Sequence, residues 1–454
     1  MYADLIITGN IATHFGAFKG VSIAVKDGKI IGMGRKDALP PGKEELDYGE
    51  LLILPGVVDP HVHSLGDAHE GFFNASYAAA AGGTTTINDH PLDIGGAPTS
   101  KMDIERKAVA ASQEMVVDFS FFAAAVPEKL EDIADVADSG ITGYKTLMHA
   151  TSGASTYGLR AVTDAELYQI FEEIAKVDQR VMIHAENDPI QQFLEARLIR
   201  EGKVYLAAHN ESRPEMIELA AAFTAIELAR LLGTRLHIVH TTLPQIFELV
   251  VKAREEGVKV TAETCPHYLV FNEDLWQQIG AQFKINPPLR PEATREQLWK
   301  TLQQGKIDLI ATDHAPHPEN HYPNVFDNFS GSPAVETNLT VMYSEGVAKG
   351  RIGLEDLVRL LSFNPARLLG VYPQKGALTP GADADFVVFD PQKQWTITAD
   401  KLHMQPGWTM YEGMDVTGRV LATFVRGQKV YEDGEVIGEK GYGQWVKKVR
   451  NYEF

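Results

Sequence analysis

The chain has 454 residues, 44% of them hydrophobic, a formal net charge of −19 and one cysteine, Cys265. That length exceeds a single minimal domain and accommodates a barrel of about 250 residues with a second domain attached. The acidic balance argues against nucleic-acid binding, and the lone cysteine rules out an internal disulfide. No apolar run approaches the ~18 residues of a membrane helix, so the expectation is a cytoplasmic protein with neither nucleic-acid nor membrane partners.

The opening segment reads as short alternating strands, "DLIITGN" and "VSIAVKDGKIIGMG", with Asp27-Gly28 as a hairpin turn, and it lacks the basic start and apolar run of a secretory signal. After Leu54 the texture changes to strand-length apolar runs separated by helical periodicity. Eight runs are read: "GVVDPHVH", "TTTIND", "VVDFSFF", "GYKTLM", "RVMIHAE", "RLHIVHT", "VKVTAET" and "IDLIATD". Several are apolar on both faces, as buried parallel strands are. Between them lie helices. Thr163 and Glu166 form a capping box ahead of Leu167, Ile170, Phe171 and Ile174, and "EMIELAAAFTAIELARLLG" stops at Gly233. The alternation predicts a (β/α)8 barrel over residues 54–370. Strand-and-turn texture returns in "GALTPGADADFVVFD" and "GRVLATFVRGQKVYEDGEV". Residues 1–53 and 371–454 are therefore expected to pair into a small β-sandwich domain.

Chemistry in such a barrel sits at the C-terminal ends of the strands. His61 and His63 end the first run, Lys145 lies within the fourth, His184 ends the fifth, His240 the sixth and Asp313 the eighth. Side chains at i and i+2 of a strand share a face, so His61 and His63 converge. Each residue alone has a plainer use: a histidine hydrogen-bonded in the structure, Asp313 capping a helix, Lys145 reaching the surface. Joint placement at one end of one barrel points instead to a two-metal site of imidazole and carboxylate ligands, zinc foremost, with manganese, cobalt or iron also compatible. An ammonium is no ligand, but burial beside cations favours the neutral amine. A neutral amine adds carbon dioxide to become a carbamate, whose two oxygens can bridge two metals.

The constellation resembles the amidohydrolase superfamily and, within it, the cyclic amidohydrolases: hydantoinases, allantoinases, dihydropyrimidinases and dihydroorotases. The motifs "PGVVDPHVH", "GGTTTIND", "GYKTLM", "HAEN", "ETCPHYL", "NPPLR", "TDHAPH", "NPARLLGVYPQKG" and "GADADFVVFD" carry the likeness over nearly the whole chain. The resemblance implies one metal on His61, His63, carboxylated Lys145 and Asp313, and a second on the same carbamate with His184 and His240. It further implies hydrolytic opening of a cyclic amide or ureide by a metal-bridging hydroxide, with Asp313 moving the proton from that hydroxide to the departing ring nitrogen. Dimers or tetramers are expected by the same likeness. A mononuclear deaminase on the same barrel, which needs no bridging lysine, is the rival activity.

Specificity is read from departures. Dihydroorotases commonly place an arginine after the first H-x-H, where this chain has Ser64 and Leu65, and Tyr268 in "CPHYL" replaces a frequent histidine. D-selective hydantoinases and dihydropyrimidinases show a tyrosine soon after the bridging lysine; here none precedes Tyr157. The likeness is therefore greatest to L-hydantoinases and allantoinases, and the "YPQKGALTPGADAD" and "GYGQWV" segments favour the former. By family likeness Asn286, Ser332 and Pro333 contact the substrate. His90 stands where relatives usually carry methionine, and it is read either as a donor to a polar substituent or as a solvated loop residue. His149, His267, His314 and His317 are expected in supporting roles.

Overall fold

The computed structural model describes residues 2–65, 70–93, 95–149 and 158–454. Eight consecutive strands, β5 (Val57–Val62), β6 (Thr84–Asp89), β7 (Asp118–Ala124), β8 (Gly143–Leu147), β9 (Arg180–His184), β10 (Arg235–Ile238), β11 (Val260–Thr264) and β12 (Leu309–Ile310), pair in that order, all parallel. The sheet closes beyond β12: the His314 N–H donates to the His61 carbonyl (3.3 Å) and the His63 N–H to the His314 carbonyl (2.8 Å). The barrel therefore has no free edge, as a (β/α)8 architecture requires. All residues of β5 to β12 are buried, which is why their runs read as apolar on both faces.

Local chemistry sets the element ends where the sequence announced them. The helix Asp164–Lys176 begins with the reciprocal cap: Thr163 Oγ1 accepts from Glu166 N and Glu166 Oε2 accepts from Thr163 N. Leu167, Ile170, Phe171 and Ile174 form its buried stripe. The helix Glu215–Leu232 ends at Gly233, whose φ of 72° suits a residue without Cβ. The eighth strand is shorter than its apolar run: only Leu309 and Ile310 pair in register with β11, and three residues on the chain turns left-handed at Asp313 (φ 49°).

The two chain ends meet in one mixed sheet. Strands β1 (Ala3–Thr13), β2 (Gly16–Lys26), β3 (Lys29–Gly34) and β4 (Gly42–Pro55) join β13 (Phe386–Thr396), β14 (Asp415–Val425), β15 (Gln428–Glu432) and β16 (Glu435–Val436). Their order is β16-β15-β14-β13-β4-β1-β2-β3. Asp27 (φ 50°) and Gly28 (φ 74°) make the turn between β2 and β3, the double left-handed geometry of a two-residue hairpin. Leu5, Ile7, Ile23 and Val25 share an apolar cluster with Phe386, Val388 and Phe424, so neither end could bury its strands alone. A buried ionic clasp ties this sheet to the barrel. Lys375 Nζ reaches Asp118 on β7, Asp385 (2.7 Å) and Asp383 (3.0 Å), and Arg426 also binds Asp118.

Candidate metal centre and active site

At the C-terminal end of the barrel two sets of imidazoles face each other. His61 Nε2 and His63 Nε2 lie 3.1 and 3.2 Å from the same atom, Asp313 Oδ1. Across the mouth, His184 Nδ1 and His240 Nε2 approach to 2.9 Å. The ring centroids of His61 and His240 are 5.5 Å apart, which brings the two sets into one cluster. Lys145, on β8, is buried, and burial lowers its pKa to about 8 against the opposing charges of Asp313 and Glu263. Its charge is felt by His61, His184 and His240, whose pKa values burial already lowers. The six residues singled out from the sequence are thus gathered at one place.

Neutral imidazoles and a carboxylate are a donor set for divalent zinc and its neighbours. His61 Nε2 is buried without a hydrogen-bond partner among the described residues, a lone pair that an ion would satisfy. In two of the four rings the opposite nitrogen is held as a ligand requires. His61 Nδ1 sits 2.6 Å from Glu263 Oε1 and His184 Nε2 sits 2.8 Å from Glu186 Oε2. His184 Nδ1 and His240 Nε2, 2.9 Å apart, are hydrogen-bonded to each other, so both nitrogens point to the place where a second ion would sit. His240 (φ 38°) and Asp313 (φ 49°) both adopt the left-handed region that non-glycine residues rarely visit, and such strain clusters at functional sites.

Glu186 and Glu263 were not assigned roles from the sequence, although both lie in motifs that were quoted. Glu186 follows His184 by two residues, just past the end of β9, at the same spacing as His61 and His63. Burial opposes its ionisation, yet the His184 hydrogen bond and the Arg213 charge hold its carboxyl well below the usual range. Glu263, at the end of β11, joins three groups: His61 Nδ1, His237 Nε2 (3.0 Å) and the His240 N–H (3.3 Å). Burial pushes it up to about 8 despite the pull of Lys145.

His90 corrects the sequence reading. It is fully buried, so it is no solvated loop residue, and its Nε2 lies 3.1 Å from the Pro60 carbonyl. A carbonyl only accepts, so the single N–H of the neutral ring is committed there and His90 has none to give a substrate. Its ring stacks on His61 at 3.7 Å and 6°. One nitrogen from each of His61, His63 and His90 falls within 4.8 Å of the others. Parallel rings, however, carry in-plane lone pairs that run side by side and do not converge on one ion. His90 therefore backs the His61 ring. A separate group, Asp118, Asp383 and Asp385, already holds the Lys375 and Arg426 side chains where a metal ion would otherwise sit.

The other histidines support the site. His149 Nδ1 meets Asp188 Oδ1 at 2.8 Å and its Nε2 accepts from Arg213 (3.2 Å). His314 Nδ1 accepts the N–H groups of Ala334 and Val335, and its Nε2 meets Glu70 Oε2 at 2.7 Å. His267 is buried with neither nitrogen partnered among the described residues, and His317 lies between the Pro318 and Gly331 carbonyls. Ser332 and Pro333 are buried on a segment that bridges His314, with Ala315 N donating to the Ser332 carbonyl at 3.0 Å. That approach requires Gly331 (φ 145°), where a Cβ would stand 2.4 Å from the Ala315 carbonyl oxygen. Asn286 is buried with its Oδ1 unpartnered among the described residues, and Tyr268 donates to the Pro287 carbonyl. Tyr157 lies outside the described residues.

Comparison with known proteins gives the family and the fold. The model of the amidohydrolase family matches residues 52–430. An L-hydantoinase of Paenarthrobacter aurescens is 37% identical over 99% of both chains, and an allantoinase of Rubrobacter xylanophilus 34% identical over 98% of both. Among solved structures, an L-hydantoinase (dihydropyrimidinase) from Arthrobacter aurescens superposes with a TM-score of 0.93 at 33% identity, covering 98% of this chain and 100% of that one. A dihydropyrimidinase from Brevibacillus agri follows with 0.91 at 29%, covering 99% of each. With the family match spanning most of the chain and relatives alike from end to end, this protein is a hydrolase of the amidohydrolase family.

Proposed function

We propose that the protein opens a cyclic amide or ureide of hydantoin or allantoin type by hydrolysis of a ring C–N bond. One observation carries the reading: two pairs of imidazole nitrogens converge at the barrel mouth, one pair on Asp313 and the other on itself, with Lys145 among them. His61, His63 and Asp313 would hold one divalent ion, His184 and His240 the other, and Lys145, carboxylated by carbon dioxide with loss of a proton, would join them. Zinc is the first choice of ion. Bound there, such ions supply an activated water and a polarised ring carbonyl.

The chain's own residues do the rest. Asp313, with its side chain 15% exposed at the mouth, accepts the proton of the attacking water and returns it to the ring nitrogen as the C–N bond breaks. An amide nitrogen leaves poorly unless protonated, so Asp313 acts on both halves of the reaction. Glu263 and Glu186 orient His61 and His184. Asn286, Ser332 and Pro333 frame the substrate, with amide and backbone groups suited to alternating N–H and C=O. The same reading assigns residues 54–370 to the catalytic barrel, and residues 1–53 and 371–454 to a flanking β domain built on one sheet. It also assigns a homo-oligomer, dimer or tetramer.

The test is a hydrolysis panel of hydantoin, allantoin, dihydrouracil and dihydroorotate, with both enantiomers of each chiral substrate and metal analysis of the same sample. Opening of a five-membered ureide with close to two ions per chain is expected. Opening of dihydrouracil or dihydroorotate alone, or one ion per chain with deaminase activity, would refute the assignment. Asp313→Asn should lower kcat by about 10²- to 10⁴-fold with a much smaller change in KM.

A further inference from the structure

Both ends of the segment that carries Ser332 and Pro333 are tied to a loop of the β domain. At one end the buried Glu336 carboxylate takes two bonds from His403: Oε2 accepts the backbone N–H at 2.6 Å, and Oε1 meets Nδ1 at 2.8 Å. Among the described residues no other group bonds that carboxylate. At the other end Trp408 donates its indole N–H to the His317 carbonyl at 2.8 Å, and His317 Nε2 lies 3.1 Å from the Gly331 carbonyl. Between these ends, Val335 shares an apolar cluster with Met404. His403, Met404 and Trp408 all belong to residues 397–414, which join β13 to β14.

Holding the two domains together does not require this grip, because the Lys375 clasp already binds the sheet to β7. The loop contacts end instead on a segment whose middle is fastened to the centre. Ala334 and Val335 donate their N–H groups to His314 Nδ1 (3.0 and 3.2 Å), and the His314 backbone bonds to both His61 and His63. A buried carboxylate with a single partner is a directional anchor, since any shift leaves it unpaired. We propose that residues 397–414 brace the substrate wall, with His403 and Trp408 as positioning residues that hold the Ser332–Pro333 segment in place. The β domain is then a working part of the active site that never touches substrate. The proposal rests on the assignment of Ser332 and Pro333 to substrate contact. A purely structural use of the same bonds would change stability and leave KM alone.

The experiment compares metal-loaded wild type with His403→Ala, Trp408→Phe and the double variant, on hydantoin and allantoin. KM should rise about threefold in each single variant and about tenfold in the double, with a smaller change in kcat. His403→Asn, whose amide N–H can replace the Nδ1–H toward Glu336, should return KM to within about twofold of wild type. Hydrogen exchange without substrate gives the second readout: in the double variant the Ala334 and Val335 amides should exchange about tenfold faster while those of β13 and β14 stay as protected as before. A folded double variant with KM within about twofold of wild type overturns the proposal. So does unchanged protection of Ala334 and Val335, faster exchange that extends through β13 and β14, or His403→Asn as impaired as His403→Ala. If neither ring opens with any preparation, the hydrolysis reading fails, whereas the exchange comparison still decides whether the loop holds the segment.

Discussion

Glu263 is the most informative residue to perturb, because it touches both halves of the proposed centre without itself being a ligand. Its carboxylate receives His61 Nδ1 at 2.6 Å, His237 Nε2 at 3.0 Å and the His240 N–H at 3.3 Å, all fully buried. Glu263→Gln keeps the volume but turns one acceptor oxygen into a donor facing a donor. The His61 tautomer is then no longer fixed with its lone pair on Nε2. Loss of such an orienting partner costs about 10- to 100-fold in metal affinity, equivalent to about 1.4–2.7 kcal/mol. Glu263→Leu leaves three buried donors without an acceptor, and at about 1 kcal/mol or more each the fold should lose about 3 kcal/mol. The assay is competition of the apo-protein with a chromophoric zinc chelator, read beside ion content per chain and urea unfolding. Glu263→Gln that binds two ions with affinity within twofold of wild type would show that the bond to His61 does not prepare the ligand, and the geometric argument for the centre would lose its second layer.

Lys145→Ala should bind fewer than two ions per chain, and short carboxylic acids added with the metal should restore part of both content and activity; full metal loading without them would remove the bridging role. Lys375→Met leaves Asp118, Asp383 and Asp385 buried without their shared cation, so unfolding free energy should fall by about 3–5 kcal/mol in a urea titration, while a loss under 1 kcal/mol would show the clasp to be ornamental. Lys284 carries a pH signature: burial, with the Arg213 charge, lowers its pKa from 10.5 to about 7. The folded state therefore disfavours the ammonium, with no penalty above about pH 10.5 and the whole penalty below about pH 7. Relative to Lys284→Met, wild-type stability should rise between about pH 7 and 10 with a slope of at most ~1.4 kcal/mol per pH unit, and a flat difference across that window would refute the assignment.

The parts of this molecule that depend on neighbours in sequence were legible, and those that depend on register across the barrel were not. The Thr163 capping box and the Asp27-Gly28 turn are settled within four residues, and both appear as read. His61, His63, His184, His240 and Asp313 were found because each closes an apolar run, and the barrel brings run ends together. Glu263 meets His61 from 202 positions away, which no local pattern encodes. His90 was misread for a related reason: its donor function depends on the Pro60 carbonyl 30 residues upstream, which takes its one N–H. The eighth strand was read as seven residues and is two, Leu309–Ile310, with polar Thr312 and Asp313 closing the run and Asp313 turning left-handed.

That turning is also what makes the site. A regular strand would carry the side chains of His240 and Asp313 onward with the pleat, away from the cluster; the left-handed residues bend the chain inward, at about 1–3 kcal/mol each. Such conformations persist only where the surroundings over-determine them, and here a buried carboxylate is bonded to the backbone at each bend. Glu263 accepts the His240 N–H. Asp59 accepts the Thr312 N–H (3.2 Å) and hydroxyl (2.5 Å) immediately before Asp313, and the His61 N–H (3.3 Å) as well. Both carboxylates thus serve two strands at once, fixing a bend on one and a histidine on another. The barrel supplies proximity, but these two acidic residues convert proximity into convergence, so the centre depends on side chains that never face the substrate.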